Sequence, residues 1–418
     1  MAAYYPDWVS GEIPPEAVDF DRFDWVDFAF AIPTSTYGLS FEQDDSLQLL
    51  DRLVKSAHSK GKRVKLSIGG WGGSKYFSPA VCTPNSRSTF VANVVTIYLE
   101  HQLDGIDIDW EYPGQQGMSD EITSPSDTSN LVLFLRQLRA ALPPGALLTA
   151  AVPPSVYRTA SKSFIPAFSS ILDYILLMNY DVWGESSSQP GPNAPLSDAC
   201  GNSTQPDASV QGGVDAWTRA GFPRKKILLG VPNYGYLQKS DKTSLRQRRR
   251  RDGVAPAEAY LGDNGTSQNL LVNGGSAPGF VTLTGGDPQI TFTNLIKQGV
   301  LQCSASSDQF ATYTASGGFS RFWDSCSSTP FLRSSASRQF VTYDDPYSLY
   351  LKAKLARELD IAGVNIFDIR DTPSWDLTDA LRAGLGLPTS MPAPIVSSLA
   401  SQSAFDGLRT DEGMIGTA

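Results

Sequence analysis

The stretch LDGIDIDWEYP, residues 103–113, alternates acidic and apolar side chains. Because successive side chains of a β-strand point to opposite faces, one face carries the three acids Asp107, Asp109 and Glu111, and the other carries two isoleucines and a tryptophan. In a barrel of parallel strands the outer face packs against helices and is apolar. The apolar face is therefore expected to point outward, and the three carboxyl groups are expected to point into the barrel.

Burying three carboxyl groups together is costly unless they are paired or neutralised. Like charges this close cannot all ionise at neutral pH, so at least one of the three pKa values must rise. A carboxyl group that keeps its proton near neutral pH is what general acid catalysis requires. Glu111 has the longest side chain and stands at the carboxyl end of the strand, where barrel enzymes place their catalytic groups, so we expect it to be the acid.

Seven other short runs resemble β-strands, and a stretch with helical periodicity follows most of them, as in Ser46–Ser59. Alternation of strand and helix indicates a parallel sheet, and eight such units indicate a closed (β/α)₈ TIM barrel of the α/β class. The eight predicted strands are Ala2–Tyr5, Trp25–Ala31, Arg63–Ile68, Gly105–Glu111, Leu147–Val152, Tyr174–Tyr180, Ile227–Val231 and Gly363–Phe367.

About 130 residues separate Val231 from Gly363, too many for one loop and one helix. We expect a small α+β insertion domain over residues 236–342, between strands 7 and 8, with strand-like runs at Phe280–Thr284 and Gln289–Phe292. The barrel would then comprise residues 1–235 and 343–386. Residues 387–418 are rich in Pro and Ser, which predicts a disordered tail.

The insertion also holds an arginine cluster, which is either a solvated loop or a protease-sensitive processing site. The cluster consists of Arg246, Arg248, Arg249, Arg250 and Arg251.

The composition excludes several classes of protein. The net charge of −9 disfavours nucleic acid as a partner, and no apolar run reaches the length of a membrane span. None of the four cysteines forms a CxxC pair, and whether Cys303 pairs with Cys326 stays open. The N-terminal residues lack the basic and apolar regions of a secretory leader, so this sequence is compatible with a cytoplasmic protein or with a secreted one whose leader is missing.

The spacing of Asp104, Asp107, Asp109 and Glu111 resembles the DxxDxDxE signature of glycoside hydrolase family 18, the chitinases, in the form with an insertion domain. Further segments resemble the family's motifs in the family's order, so the resemblance covers about residues 1–385. These segments are Ser67–Trp71 (SxGG), Met178–Asp181 (MxYD), Gly230–Gly235 (GxPxYG), and Tyr343–Pro346 followed by Gly363–Val364.

The resemblance implies hydrolysis of β-1,4-linked N-acetylglucosamine polymers with net retention, without a protein nucleophile. Glu111 would protonate the leaving oxygen, and the substrate's own acetamido oxygen would attack the anomeric carbon. Asp109 would orient the acetamido group and share a proton with Asp107. Tyr180 would hydrogen-bond the acetamido oxygen, with Asp181 in support. Glu111 would then act as the base that activates water.

The resemblance also implies an aromatic platform for the sugar at the barrel mouth, since aromatic faces suit the apolar faces of pyranose rings. Two positions depart from the family pattern. Phe367 stands where the family usually has a tryptophan under the reacting sugar, and Tyr236 stands where it often has an arginine. The expected platform residues are Tyr4, Phe30, Trp71, Met178, Tyr234 and Phe367, with Trp183 a weaker candidate.

Two alternatives to a chitinase stay open. An endo-β-N-acetylglucosaminidase acting on N-glycans would use the same acid, and a chitin-binding lectin would use the same fold without hydrolysis. The two histidines, His58 and His101, lie in polar contexts and accompany no nucleophile motif, which argues against a Ser-His-Asp hydrolase. We expect an extracellular monomer that needs no cofactor or metal and that binds chitin or chitooligosaccharides.

Overall fold

The protein is described here from a computed structural model, which describes residues 1–157, 164–184, 187, 189–201, 203–245, 279–283, 288–304 and 311–389. The arginine cluster at residues 246–251 lies outside the described residues. Of the predicted tail, only residues 387–389 are described.

Eight parallel strands close into a barrel, which confirms the predicted (β/α)₈ architecture. Strand β1 pairs with β2 on one side and with β16 on the other, so the sheet has no open edge among these eight strands. A short strand, β3 (Leu39–Ser40), pairs antiparallel with the end of β2. The barrel strands are β1 (Ala2–Pro6), β2 (Trp25–Pro33), β4 (Arg63–Gly69), β5 (Gly105–Asp109), β6 (Leu147–Val152), β7 (Tyr174–Met178), β8 (Ile227–Pro232) and β16 (Gly363–Phe367).

Helices surround the barrel and cover its apolar outer face. In the described part of the chain no helix is long and apolar enough to cross a membrane. The helices are α1 (Ser46–Ser59), α2 (Phe77–Cys82), α3 (Pro84–Glu100), α4 (Asp127–Ala141), α5 (Phe164–Ile171), α6 (Val210–Arg219), α7 (Phe292–Lys297), α8 (Pro346–Glu358) and α9 (Asp376–Leu385).

Local sequence explains where these helices begin and which side they bury. Helix α3 begins with a capping box between Thr83 and Ser86, with Pro84 at its first position. In α1 the apolar residues recur at helical spacing and form one buried stripe, which is the periodicity that predicted this helix. The buried residues of that stripe are Leu49, Leu50, Leu53, Val54 and Ala57.

The main hydrophobic core lies between the barrel and the helices. Ile106 and Ile108 of β5 are buried in it, and Trp110 is 1% exposed and stacks on Phe77 with ring centroids 5.2 Å apart. The alternation in the quoted stretch is therefore realised as expected, with the apolar face outward. A second, smaller apolar cluster fills the inside of the barrel around Tyr4, and the candidate site lies above it.

A second sheet follows β8 and is antiparallel, in the order β10-β9-β15-β14-β13. Gly235 on β9 is required here, because a Cβ at this position would lie 1.7 Å from the backbone oxygen of Thr342. The strands are β9 (Tyr234–Lys239), β10 (Gln289–Thr291), β13 (Ser320–Asp324), β14 (Thr329–Ser334) and β15 (Gln339–Thr342), and a separate hairpin is formed by β11 (Leu301–Ser304) and β12 (Thr312–Ala315).

The strand predicted at Phe280–Thr284 is wrong for the residues of this run that the structure describes. Residues 280–283 of the run Phe280–Thr284 form no strand, and Thr284 lies outside the described residues. The backbone of Val281 instead bonds a side chain, because its N–H donates to Gln339 Oε1 and its carbonyl accepts from Gln339 Nε2. A side-chain amide therefore satisfies the backbone groups that a neighbouring strand would have satisfied.

The structure answers the open question of whether Cys303 pairs with Cys326, and the answer is that it does not. Cys326 forms a disulfide with Cys200, 126 residues away, and Cys303 is free and exposed. The turn between β13 and β14 lies against the loop that follows β7, where Ala199 N–H donates to the Cys326 carbonyl at 3.0 Å. Proximity along the chain suggested the wrong partner, because Cys303 belongs to the separate β11–β12 hairpin.

Candidate active site

The three carboxyl groups expected to point inward lie along the second half of β5 and just beyond its carboxyl end. Asp107 and Asp109 are buried inside the barrel, and Glu111 follows two residues after the strand ends and is half-buried. Asp107 Oδ2 accepts hydrogen bonds from Ser67 at 2.8 Å and Tyr4 at 3.1 Å, and its Oδ1 accepts one from Thr149 at 2.5 Å. Three hydroxyl groups from three other strands therefore hold Asp107 in place.

The turn after β4 positions the backbone beside these acids. Gly70 N–H donates to the Asp109 carbonyl at 2.8 Å, and Glu111 N–H donates to Ser74 Oγ at 2.9 Å. Gly69 has φ +113°, and a Cβ there would lie 2.0 Å from the Asp109 carbonyl oxygen. Only glycine permits this approach, which explains the SxGG motif beside the acidic strand.

Glu111 has properties suited to a proton donor near neutral pH. The pKa of Glu111 is raised to about 7, mainly by burial and in part by the negative charges of Asp181 and Glu121, while a hydrogen bond with Tyr112 opposes the shift. Burial likewise raises the pKa of Asp109 well above its usual range, with added repulsion from Glu111 and Asp107. Asp109 Oδ1 is buried without a hydrogen-bond partner within the described part of the protein.

Tyr180 and Asp181 follow β7 and face the same region. Asp181 Oδ1 accepts hydrogen bonds from Tyr234 at 2.7 Å and from Tyr236 at 2.6 Å. The backbone N–H of Asp181 donates to Asn193 Oδ1 at 2.8 Å. Tyr236, at the position where the family often has arginine, thus holds the Asp181 carboxylate through a neutral phenol.

A cavity of about 390 Å³ opens beside Glu111. Glu111, Tyr180 and Asp181 line it together, so the structure brings these three predicted residues to one space large enough for part of a sugar ring and its substituents. The other lining residues are Tyr112, Pro154, Ser155, Met178, Val182 and residues 204–208.

Most of the predicted platform forms a continuous set of rings at the barrel mouth. Phe367 is the centre of the set, with ring centroids 5.3 Å from Tyr4, 6.4 Å from Phe30 and 6.3 Å from both Tyr180 and Tyr234. Phe30 and Phe367 are half-buried and nearly parallel, at 19°. Tyr4, Met178 and Tyr234 are buried beneath this surface.

The two predicted tryptophans differ sharply. Trp71 is 54% exposed at the turn after β4, where its indole is available to a ligand. Trp183 is only 2% exposed, and the backbone of Gly191 lies so close to its ring that a Cβ would be 2.3 Å from the indole. Trp183 therefore presents no open ring face to a sugar in this structure, and its expected role in the platform is corrected to packing of the loop after β7.

Sequence reasoning missed three side chains that the structure places at the site. Tyr112 lines the cavity and hydrogen-bonds Glu111, and Trp8 is 45% exposed with its ring 6.2 Å from Phe30. Glu121 is buried and accepts from Trp110 Nε1 at 3.1 Å and from Gly117 N–H at 2.7 Å. The sequence could have indicated Trp8 and Tyr112, because both follow the carboxyl end of a predicted barrel strand, where barrel enzymes place their functional residues.

The two histidines lie away from the site, each within hydrogen-bond distance of an aspartate. His58 Nε2 lies 2.9 Å from Asp104, and His101 Nδ1 lies 2.6 Å from Asp51. Neither contacts a residue that lines the cavity.

Comparison with known proteins agrees with this geometry. A chitinase-like effector of Moniliophthora roreri is 32% identical over 398 residues, covering 92% of each chain, and Chitinase A1 of Niallia circulans is 28% identical over 80% of this chain and 44% of its own. The crystal structure of a chitinase from Rhizomucor miehei matches with a TM-score of 0.72 and 28% identity, over 92% of this chain and 99% of that one. The sequence model of "Glycosyl hydrolases family 18" matches residues 1–371. This chain belongs to glycosyl hydrolase family 18.

Proposed function

We propose that the protein is a chitinase that hydrolyses β-1,4-linked N-acetylglucosamine polymers with retention of anomeric configuration. One observation carries the proposal: Glu111 lines the cavity with a pKa raised to about 7, directly above the buried pair Asp107 and Asp109. A carboxyl group in this state can donate its proton near neutral pH and accept one later in the cycle. The relatives named as chitinases support the same activity.

In the proposed reaction Glu111 gives its proton to the glycosidic oxygen while the substrate's acetamido oxygen attacks the anomeric carbon. The buried carboxyl of Asp109 orients the acetamido group and stabilises the positive charge that develops beside it. The Tyr180 hydroxyl binds the acetamido oxygen. Attack within one molecule has a high effective concentration, which removes the need for a protein nucleophile. Glu111 then takes a proton from the water that opens the cyclic intermediate.

The aromatic surface favours a long chitin chain over an N-glycan. Trp8 and Trp71 are exposed, and the Phe30–Phe367 pair lies close to Trp8, so several rings are available to successive sugars. A β-1,4 polymer presents repeated apolar ring faces to such a surface. Substrates without the N-acetyl group lack the attacking oxygen, and we expect cello-oligosaccharides to be hydrolysed very poorly.

Binding without cleavage is the second candidate function. It is favoured by the name of a relative, the chitinase-like effector of Moniliophthora roreri, which matches over 92% of both chains. In this chain, however, Glu111 and the two aspartates beneath it are all present, and burial of those two aspartates without catalytic use would be a large cost. We therefore place hydrolysis first.

The decisive experiment incubates the purified protein with N-acetylchitohexaose and follows product masses and anomeric NMR signals. We expect initial products of the β-anomer, and we expect Glu111→Gln to lower kcat by about a thousandfold, as for loss of a general acid, while oligosaccharide binding persists. Binding by both proteins with cleavage by neither would establish the binding function instead. Turnover by Glu111→Gln near the wild-type rate would remove the acid assignment.

We also propose that the protein acts outside the cell. The Cys200–Cys326 disulfide supports this location, because disulfides persist in oxidising compartments and are rare in the cytosol. The barrel, over residues 1–235 and 343–386, and the insertion, over residues 236–342, are proposed as the two domains of the chain, supported by their separate sheets.

A further inference from the structure

A lysine that the proposed mechanism does not use lies inside the barrel. Lys65 on β4 is 2% exposed, and its ammonium lies 2.9 Å from Asp27 Oδ1 and 3.9 Å from Asp107 Oδ1. It also donates to Thr149 Oγ1 at 2.5 Å, and Thr149 in turn donates to Asp107 Oδ1 at 2.5 Å. Lys65 thus reaches Asp107 both through space and through one hydroxyl group.

Asp27 on β2 completes a buried charge pair with Lys65. The second oxygen of Asp27 accepts from Asn365 Nδ2 of β16 at 2.8 Å. The ammonium also lies 5.3 Å from the centre of the Trp25 ring, a cation–π distance. Four strands therefore fix the position of this pair below the catalytic carboxyl groups.

Burying an ion pair in a barrel interior is usually no more stable than filling the same volume with apolar side chains. Stability alone therefore does not explain Lys65 and Asp27 at this position. The described titratable groups that face the pair and the adjacent Asp107 from the surrounding elements are Tyr4, Asp109 and Tyr180, and none of these three is a cation, so among the described residues Lys65 supplies the positive charge there.

The hydrogen bonds distinguish the two aspartates above the pair. Asp107 accepts from three hydroxyl groups, an environment that suits a carboxylate with its acceptor oxygens. Asp109 has a buried oxygen with no hydrogen bond among the described residues, an environment that suits a protonated carboxyl group awaiting a ligand. A positive charge beside Asp107 reinforces this difference.

We infer that Lys65, held by Asp27, is a positioning residue that places the negative charge of the Asp107–Asp109 pair on Asp107 and its proton on Asp109. The inference rests on the proposed function for its catalytic meaning. The Lys65–Asp27 pair does not touch the substrate, and it acts through Asp107 and Thr149. With the charge so placed, Asp109 keeps a proton in the free enzyme while Glu111 above it stays neutral.

The test compares two variants that break the same ion pair, Lys65→Met and Asp27→Asn. The acid limb of the kcat/KM profile reports the loss of activity when both aspartates become protonated. Removing the cation favours protonation of the pair, so Lys65→Met should move that limb to higher pH by about one unit. Asp27→Asn retains the cation and should not move the limb upward. We expect kcat to fall more than tenfold in Lys65→Met, with KM changed less than threefold.

Two further variants separate electrostatics from folding. The double variant Asp27→Asn/Lys65→Met leaves no unpaired buried ion and should show the same upward shift. Lys352→Met removes an equally buried lysine of α8, which is paired with Asp344, and should lower stability without moving the acid limb. The inference would be overturned if the acid limb of Lys65→Met did not move. It would also be overturned if the acid limbs of Asp27→Asn and Lys352→Met moved to higher pH together with that of Lys65→Met.

A readout without turnover separates this inference from the proposed function. In protein labelled with ¹³C at aspartate carboxyl carbons, the Asp107 signal is identified by its loss in Asp107→Asn. Its titration midpoint should move to higher pH in Lys65→Met whether or not the wild type cleaves chitin. An Asp107 midpoint that is the same in Lys65→Met as in the wild type would contradict the inference. Absence of cleavage by the wild type would contradict only the proposed function.

Discussion

At the scale of single residues, the ionisation of Glu111 depends on groups that are distant in sequence. Burial raises its pKa, and Asp181 and Glu121 add negative charge from the loops after β7 and β5. The carboxyl group is in its acid form below pH 7 and loses its proton as the pH rises through about 7. The proposed reaction needs the acid form, so activity should fall along an alkaline limb near pH 7.

Substitution of Asp181 tests this electrostatic contribution. Asp181→Asn removes a negative charge that favours the protonated form of Glu111, so the pKa of Glu111 should fall and the alkaline limb of kcat/KM should move to lower pH. Asp207→Asn is the matched control, because Asp207 also lines the cavity but is not among the charges that raise the pKa of Glu111. Equal shifts in both variants would contradict the assignment.

At the scale of elements, β5 continues into a loop that is tied back beside the site. Asp127, at the first position of α4, accepts from Ser78 at 2.7 Å, from Ser124 N–H at 2.7 Å and from Gly114 N–H at 3.2 Å. Glu121 holds Gly117 of the same loop. The loop that carries Tyr112 past Glu111 therefore has two buried carboxyl anchors.

Removal of one anchor should cost stability and loosen the cavity wall. Asp127→Ala leaves three donors without their acceptor, and we expect the free energy of unfolding to fall by about 2–4 kcal/mol in urea titrations. KM should rise as well, because Tyr112 lines the cavity. The control Ser126→Ala, at an exposed neighbouring position whose side chain makes no cap hydrogen bond, should stay within about 0.5 kcal/mol of wild type.

At the scale of the whole molecule, the disulfide joins the loop after β7 to the second sheet, at the turn between β13 and β14. That loop carries Asp181 and the cavity-lining residues 204–208, and Cys200 lies between them. The second sheet reaches the site at another point, because Tyr236 of β9 donates to Asp181 Oδ1 at 2.6 Å and its hydroxyl accepts from Gln289 of β10 at 3.0 Å. The second sheet therefore supports one wall of the cavity.

Loss of the disulfide should weaken both the fold and the site. Cys200→Ser should lower the free energy of unfolding by about 2–5 kcal/mol, because the bond closes a long loop of chain. It should also raise KM more than it lowers kcat, since the acid on β5 is not displaced. Cys303→Ser removes a free cysteine and should leave both quantities near wild type; equal losses in the two variants would contradict this account.

Among these features, local pattern predicted those that depend on neighbours in the chain. Alternation over residues 103–113 predicted an inward acidic face and an outward Trp110, and helical spacing predicted α1 with its observed bounds. Backbone geometry enforces both relations, because a strand repeats every two residues and an α-helix every 3.6. The eight barrel strands were predictable for the same reason.

Only the tertiary structure decided the relations between distant segments. It paired Cys326 with Cys200 instead of Cys303, buried Trp183 under Gly191, and brought Lys65 and Asp27 beneath Asp107. Each outcome depends on which elements pack side by side. The periodicity of a strand or helix relates only residues that are close in sequence, so it does not predict this packing. The sequence by itself determined the barrel and its acidic strand. The packing of strands and loops decided which charged groups surround that strand, which residues line the cavity, and which side chains hold the loops in place.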